Sequence, residues 1–257
     1  NLVNLEKLDL AKEAIQEKIL KYPKSPILFN ILGAILFKQN KLSEAINNYN
    51  HAIQLDPNYA QAYNNLGTAF HHLNKLQDAI KSFKKAIDLK KNFTESLANL
   101  GNLFFEDGNF DEAILYFKKV VATKPDFKMG FANLGKAYIK LGQNKEALNS
   151  FEKALKIDTN SPEVYNNIGL AYYELSRFHE SLSSFNKAID LNPKYEKAYN
   201  NLGNLFNLLG RYEDSNNAYK KAIKIKPDYS KAYSNLLFNL IYKLDFDPKL
   251  YLLEAQK

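Results

Sequence analysis

Residues 60–93 read AQAYNNLGTAFHHLNKLQDAIKSFKKAIDLKKNF, and their spacing decides the fold. Apolar side chains fall at Ala62, Tyr63, Leu66, Phe70 and Leu73, the spacing of one helix face. Asn74 and Lys75 interrupt the pattern. A second face then follows through Leu76, Ala79, Ile80, Phe83, Ala86, Ile87 and Leu89. The stretch predicts two antiparallel helices of roughly a dozen residues each, joined by a tight turn.

The same pattern recurs along the chain. Gly33, Gly67, Gly101, Gly135, Gly169 and Gly203 each stand 34 residues after the last. Twelve positions beyond each glycine come Ala45, Ala79, Ala113, Ala147, Ser181 and Ser215; sixteen beyond come Tyr49, Phe83, Phe117, Phe151, Phe185 and Tyr219. Nineteen beyond come Ala52, Ala86, Val120, Ala154, Ala188 and Ala222. Pro57, Pro125, Pro193 and Pro227 hold the next station, which Lys91 and Thr159 break. Gly and Ala at two crossings let helices approach closely while the aromatics fill the space beside them. Gly108, Gly142 and Gly210 fall in the intra-pair turn, where a residue ending a helix often needs positive φ. The prolines end the second helix, and Ser25-Pro26 and Ser161-Pro162 read as a capping serine before a first-turn proline.

A 34-residue period with these residues resembles the tetratricopeptide repeat. One repeat here reads Phe131, Leu134, Gly135, Tyr138, Ala147, Phe151 and Ala154, lacking only the proline. The likeness covers roughly nine-tenths of the chain. It implies an all-α fold, a right-handed superhelical solenoid of antiparallel helix pairs. The frame gives complete repeats at 26–59, 60–93, 94–127, 128–161, 162–195 and 196–229. Residues 1–25 are then the second helix of a preceding repeat, and 230–257 a partial seventh with C-terminal capping helices. Asn1 is not Met, so the natural N-terminus is expected to lie upstream. The chain looks like a piece of something longer.

Composition narrows the function classes. The chain has 257 residues, 46% hydrophobic and 25% charged, enough apolar mass for a continuous core. No apolar run is long enough to span a bilayer, and no membrane partner is expected. Cysteine is absent, which rules out disulfides and thiolate metal sites; a cytoplasmic protein is the simpler expectation. The formal charge is +7, but arginine appears only at Arg177 and Arg211. Arginine is the usual choice for bidentate phosphate recognition, and the lysines share faces with Glu and Asp, as on a solvated surface. Recognition of RNA by a helical repeat is therefore a weaker reading, and no nucleic acid is expected.

The face left over for ligands follows from helical phase. Core positions on the first helix lie four and one before the glycine, at it, and three after. The opposite stripe holds the positions six, three and two before, and one and five after. Two before the glycine stand Asn65, Asn99, Asn133, Asn167, Asn201 and Asn235, with Ile31 the exception. A carboxamide donates and accepts together, so such a row can pair with the main chain of an extended polypeptide whatever its side chains. The same stripe adds Asn64, Asn166 and Asn200 three before the glycine, and Asn102, Lys136 and Asn204 one after. These twelve residues form the candidate peptide-binding face. The competing reading is that the amides bond only neighbouring repeats or water. Five after the glycine, Lys38, His72, Glu106, Lys140, Glu174, Leu208 and Tyr242 mix both signs. Chaperone-binding members of the family clamp a carboxylate with Lys three before the glycine. Here Asn30, Asn64, Ala98, Ala132, Asn166, Asn200 and Ser234 stand there, so that clamp is absent.

No catalytic constellation emerges, and neither metal nor cofactor is implied. His71 and His72 are adjacent on a helix and diverge, unlike a chelating i, i+4 pair; a solvated or packing role suits them and His51 and His179 better. Asp111-Glu112 and Glu213-Asp214 open second helices, where they favour the positive end of the dipole.

The expected function is a scaffold that binds a protein or peptide in extended form in the groove lined by first helices, as a monomer or weak homodimer. A second reading starts from Ala232 to Leu240, Tyr242, Asp245 and Pro248. These resemble the junction after the repeats in bacterial O-linked N-acetylglucosamine transferase-like proteins. The asparagine row is similar to the substrate-holding ladder of that family. The resemblance implies repeats that feed polypeptide to a following domain using a UDP-sugar. Six before the glycine, Gln61, Glu95, Met129, Glu163, Lys197 and Lys231 depart from the Asp of animal members, so substrate preference does not carry over.

Overall fold

A computed structural model describes residues 2–242, with side chains over 6–240. It contains fourteen helices among the described residues. They are α1 (Leu2–Lys21), α2 (Pro26–Lys38), α3 (Leu42–Leu55), α4 (Ala60–His72), α5 (Leu76–Leu89), α6 (Thr94–Glu106), α7 (Phe110–Thr123), α8 (Lys128–Lys140), α9 (Asn144–Ile157), α10 (Pro162–Glu174), α11 (Phe178–Leu191), α12 (Glu196–Leu208), α13 (Tyr212–Ile225) and α14 (Ser230–Tyr242). From α2 on, helices of 13 and 14 residues alternate until α14. The residues divide into two compact units, one up to Pro125 and one from Asp126.

In the first unit, α2, α4 and α6 pack side by side, and α3, α5 and α7 each return against the helix before. In the second, α8, α10, α12 and α14 form the corresponding row, with α9, α11 and α13 behind them. Each unit is thus a stack of antiparallel helix pairs whose core runs between neighbours. Leu32, Leu36, Ala45, Tyr49, Leu66 and Ala69 make one such cluster, covered by Ile15 and Ile19 of α1. Phe185, Leu202 and Leu205 make another in the second unit. Burying each large apolar side chain stabilises by about 1.5–3 kcal/mol.

The period-setting glycines face the aromatic of their own pair. A Cβ on Gly67 would stand 2.8 Å from the Phe83 ring, and one on Gly135 would stand 2.5 Å from Phe151. Where Ala gives way to Ser behind this contact, the hydroxyl is satisfied: Ser181 Oγ donates to the Gly169 carbonyl and Ser215 Oγ to that of Gly203, both at 2.8 Å.

Gly108, Gly142 and Gly210 adopt φ of 81°, 71° and 71°, and Asn40, Asn74 and Ser176 take the same turn at 61°, 57° and 57°. Proline is not what stops the second helices. α5 and α9 end at Leu89 and Ile157 without one, at the same station as their neighbours. Asx turns supply part of the stop, with the Asn58, Asn160 and Lys194 amides donating to Asp56, Asp158 and Asn192. Ser25 and Ser161 do precede first-turn prolines, but neither side chain caps. The Ser161 carbonyl accepts Tyr165 N–H at 3.2 Å, the first bond of the helix.

Candidate functional site

The asparagines two before each glycine are all half-buried, on the face that the first helices share within a unit. Their neighbours three before the glycine are not on that face. Asn64, Asn166 and Asn200 are buried, at 6%, 3% and 5% exposure. This corrects their assignment as peptide contacts. Where one first helix meets the next, the position three before the glycine turns into the seam, and there a buried carboxamide requires a partner.

That partner comes from the next pair. Asn65 Nδ2 donates to Asn30 Oδ1 at 2.9 Å, and Asn99 Nδ2 to Asn64 Oδ1 at 3.1 Å. In the second unit Asn201 donates to Asn166 at 2.9 Å and Asn235 to Asn200 at 3.1 Å. Ser96, itself fully buried, adds a second donor to Asn64 Oδ1 at 2.8 Å. The result is a relay that runs one way, each amide NH2 reaching back to the preceding pair. Each such bond contributes about 1 kcal/mol. One of the two NH2 hydrogens of Asn65, Asn99 and Asn201 is therefore committed to the stack and not to a ligand. The oxygens of the outer row are less so. Asn65 Oδ1 receives Gln61 Nε2 at 3.2 Å. No donor among the described residues reaches Oδ1 of Asn99, Asn201 or Asn235, and none of these oxygens is sealed from solvent.

The relay has a gap in the second unit. Asn167 has Ala132 35 residues back, where Asn201 and Asn235 have asparagine, and its Nδ2 is buried without a partner. The other candidates lie as follows. Asn133 and Asn102 are half-buried on the same face. Lys136 pairs with Glu163 of the next pair at 2.5 Å. Asn204 Oδ1 accepts the Tyr219 hydroxyl at 2.8 Å and Asn235 Nδ2 at 3.0 Å. Tyr219 is the aromatic that packs on Gly203, and burial raises its phenol above the usual range. Sequence reasoning missed this Tyr219–Asn204 contact. Its one signal was a tyrosine where Phe83, Phe117, Phe151 and Phe185 stand in other pairs.

The histidines pack and bond as side chains of a surface do. His71 Nε2 lies 2.9 Å from the Glu106 carboxylate, His72 stands edge-on to Phe37 at 4.8 Å, and His51 rests on Phe29 at 4.1 Å. Asp245 and Pro248 of the junction-like segment, and the Tyr242 side chain, lie outside the described residues.

The geometry is that of a helix-pair repeat array with a polar first-helix face. Family models agree. One described as TPR repeat matches residues 33–73, 135–176, 169–210 and 203–236, and models described as tetratricopeptide repeat match 60–93 and 94–127. The chain belongs to the tetratricopeptide repeat family. Among solved structures, that of the APC/C hetero-tetramer Cut9–Hcn1 is similar at 18% identity and a TM-score of 0.71, over 92% of this chain and 46% of that one. This chain thus spans less than half the length of that relative. PilF of Pseudomonas aeruginosa aligns at 16% identity and a TM-score of 0.68, over 81% of this chain and 95% of its own. YrrB, described as a TPR protein with an unusual peptide-binding site, aligns at 25% identity and a TM-score of 0.58, over 72% and 96%. No curated protein matches the sequence.

Proposed function

We propose that this chain is a protein-interaction scaffold that holds an extended polypeptide along its first-helix face, with carboxamide oxygens accepting main-chain N–H bonds. The observation that carries the reading is the outer asparagine row. Its NH2 groups are pinned by the relay, so the open oxygens of Asn99, Asn201 and Asn235 are presented in fixed orientation. Preorganised acceptors cost little to order on binding. The peptide-binding site reported for YrrB supports the same use of the family fold.

The test uses fluorescein-labelled, Ser/Gly-rich dodecapeptides with one central Leu, titrated by anisotropy. Wild type should bind them with little salt dependence, since the acceptors are uncharged. N-methylation of alternate peptide nitrogens should weaken binding about tenfold or more, because each methyl removes a donor. Equal affinity for methylated and unmethylated peptides overturns the reading. A steep loss with salt, together with binding to single-stranded RNA, would point to phosphate contacts instead.

The pattern over Ala232 to Leu240 supports a narrower version, in which the scaffold is the substrate-selecting arm of a sugar transferase using a UDP-sugar. Reading the gene past the Lys257 codon tests it. A two-lobed nucleotide-sugar domain there supports the arm, and a stop codon removes it.

A further inference from the structure

A cavity of about 340 Å³ opens on the first-helix face of the second unit, between α10, α12 and α14. It is lined by Tyr173, Asn204, Asn207, Leu208, Tyr219, Asn235 and Phe238, with no charged side chain among them. Two other cavities differ. That between α4 and α5 carries Asp78, Lys81, Lys84, Lys85 and Asp88, and that beside α9 carries Lys145, Glu152 and Arg177. This cavity is neutral in a chain that is one-quarter charged.

Its floor is polar and ordered. Tyr219, 1% exposed, sends its hydroxyl to Asn204 Oδ1, and Asn235 Nδ2 reaches the same oxygen. These two donors fix both carboxamides and leave opposite groups over. Asn204 Oδ1 is occupied, so its NH2 remains to donate. Asn235 Nδ2 is occupied, so its Oδ1 remains to accept. A donor and an acceptor one hydrogen bond apart match the C=O and N–H of a peptide main chain. The wall is apolar: Leu208 is 54% exposed, an arrangement that costs free energy unless something covers it. Sequence shows the same drift. Five after the glycine, the first unit offers Lys38, His72 and Glu106, whereas this end offers Leu208 and Tyr242.

We propose that this cavity is a specificity pocket for one uncharged, aliphatic or aromatic side chain of the bound polypeptide, with Asn204 and Asn235 holding the main chain beside it. The proposal rests on the peptide-scaffold reading and adds a side-chain preference to it. Absence of charge selects against Lys, Arg, Asp and Glu, whose desolvation nothing in the lining offsets. The volume suits a side chain or two rather than a folded partner. Tyr219 acts as a positioning residue, through Asn204.

The experiment is anisotropy with four fluorescein-labelled Ser/Gly dodecapeptides, identical but for a central Leu, Gln, Lys or Glu. Wild type should prefer Leu over Gln by about tenfold, and over Lys and Glu by more. Leu208→Asp lies on an exposed position and should abolish the preference without altering the helical melt. Tyr219→Phe takes the residue other pairs carry. It should weaken all four peptides alike while keeping their order, which a purely structural role for the hydroxyl would not produce. Equal binding of Leu and Gln peptides to wild type, or an unchanged preference in Leu208→Asp, overturns the pocket; if N-methylation still weakens binding, the scaffold reading survives it. No binding of any peptide sinks both. A wild-type dimer that Leu208→Asp dissociates, with no peptide preference, would assign the cavity to a second copy and likewise overturn the proposal.

Discussion

At the scale of the residue, the asparagines of the first-helix face divide into those that hold the stack and those left over. Asn201→Ala removes the donor to Asn166 Oδ1, which is 3% exposed. Stranding that buried acceptor costs about 1–3 kcal/mol, so chemical denaturation should show a lower midpoint with an unchanged slope. Asn167→Ala removes an NH2 that already lacks an acceptor and should leave the midpoint nearly unmoved. The converse change restores the missing partner. Ala132→Asn should supply Asn167 Nδ2 with an acceptor and raise stability by about 0.5–1.5 kcal/mol, read by the same denaturation. Identical stability for Asn201→Ala and Asn167→Ala would show the relay to be without energetic weight. The row itself is plain in the sequence, but its division is not. The bonds join residues 35 apart, one more than the period, so the two amides that meet belong to different columns of the repeat. Only the packing of one first helix on the next brings them together.

At the scale of the element, close approach and turn conformation carry the energetics. Ala is the better helix former by about 1 kcal/mol, yet Gly135→Ala should destabilise. Its Cβ would press on Phe151, a buried ring with no room to yield, and overpacking of this kind costs about 1–3 kcal/mol. A melt of Gly135→Ala combined with Phe151→Leu should recover part of the loss. The turn after α10 offers the opposite case. Ser176 sits at φ 57°, where an L side chain costs about 1–2 kcal/mol relative to the right-handed region. Ser176→Gly should raise the melting temperature, and Gly142→Ala at φ 71° should lower it. Helix pairing, the tight turns and the glycine–aromatic contacts are legible because they are local and recur at a fixed period. The second-helix ends are misread from proline, since α5 and α9 stop at the same place without it. An Asx turn at Asp158 accompanies the stop of α9, while α5 stops at Leu89 with neither proline nor an Asx turn after it among the described bonds.

At the scale of the whole molecule, two tyrosines, Tyr49 buried and Tyr195 half-buried, contribute to the dependence of stability on alkaline pH. Burial raises Tyr49 and Tyr195 from 10.0 to about 12. The folded value lies above the ordinary one, so this contribution is whole below pH 10 and is lost as pH climbs through about 12. Tyr49→Phe, which matches Phe83 and Phe117 at the same station, should melt like wild type at pH 7 and lose less stability between pH 10 and 12. Family membership is readable from the period alone. The pocket beside Tyr219 is not, because it needs a phenol, two carboxamides and Leu208 from successive helices at one point.

The one-way relay has a consequence for how such a chain can change. A pair that carries both asparagines, such as 196–229, presents a donor on one edge and an acceptor on the other, a heterologous, head-to-tail contact. A copy of such a pair can therefore be spliced beside the original without orphaning its amides. Duplicating residues 196–229 in place should give a longer array that melts higher, with its extra seam closed by the same asparagines. The same polarity leaves a bare edge unsatisfied wherever a seam is opened, and the opposite edge of another molecule is its natural complement.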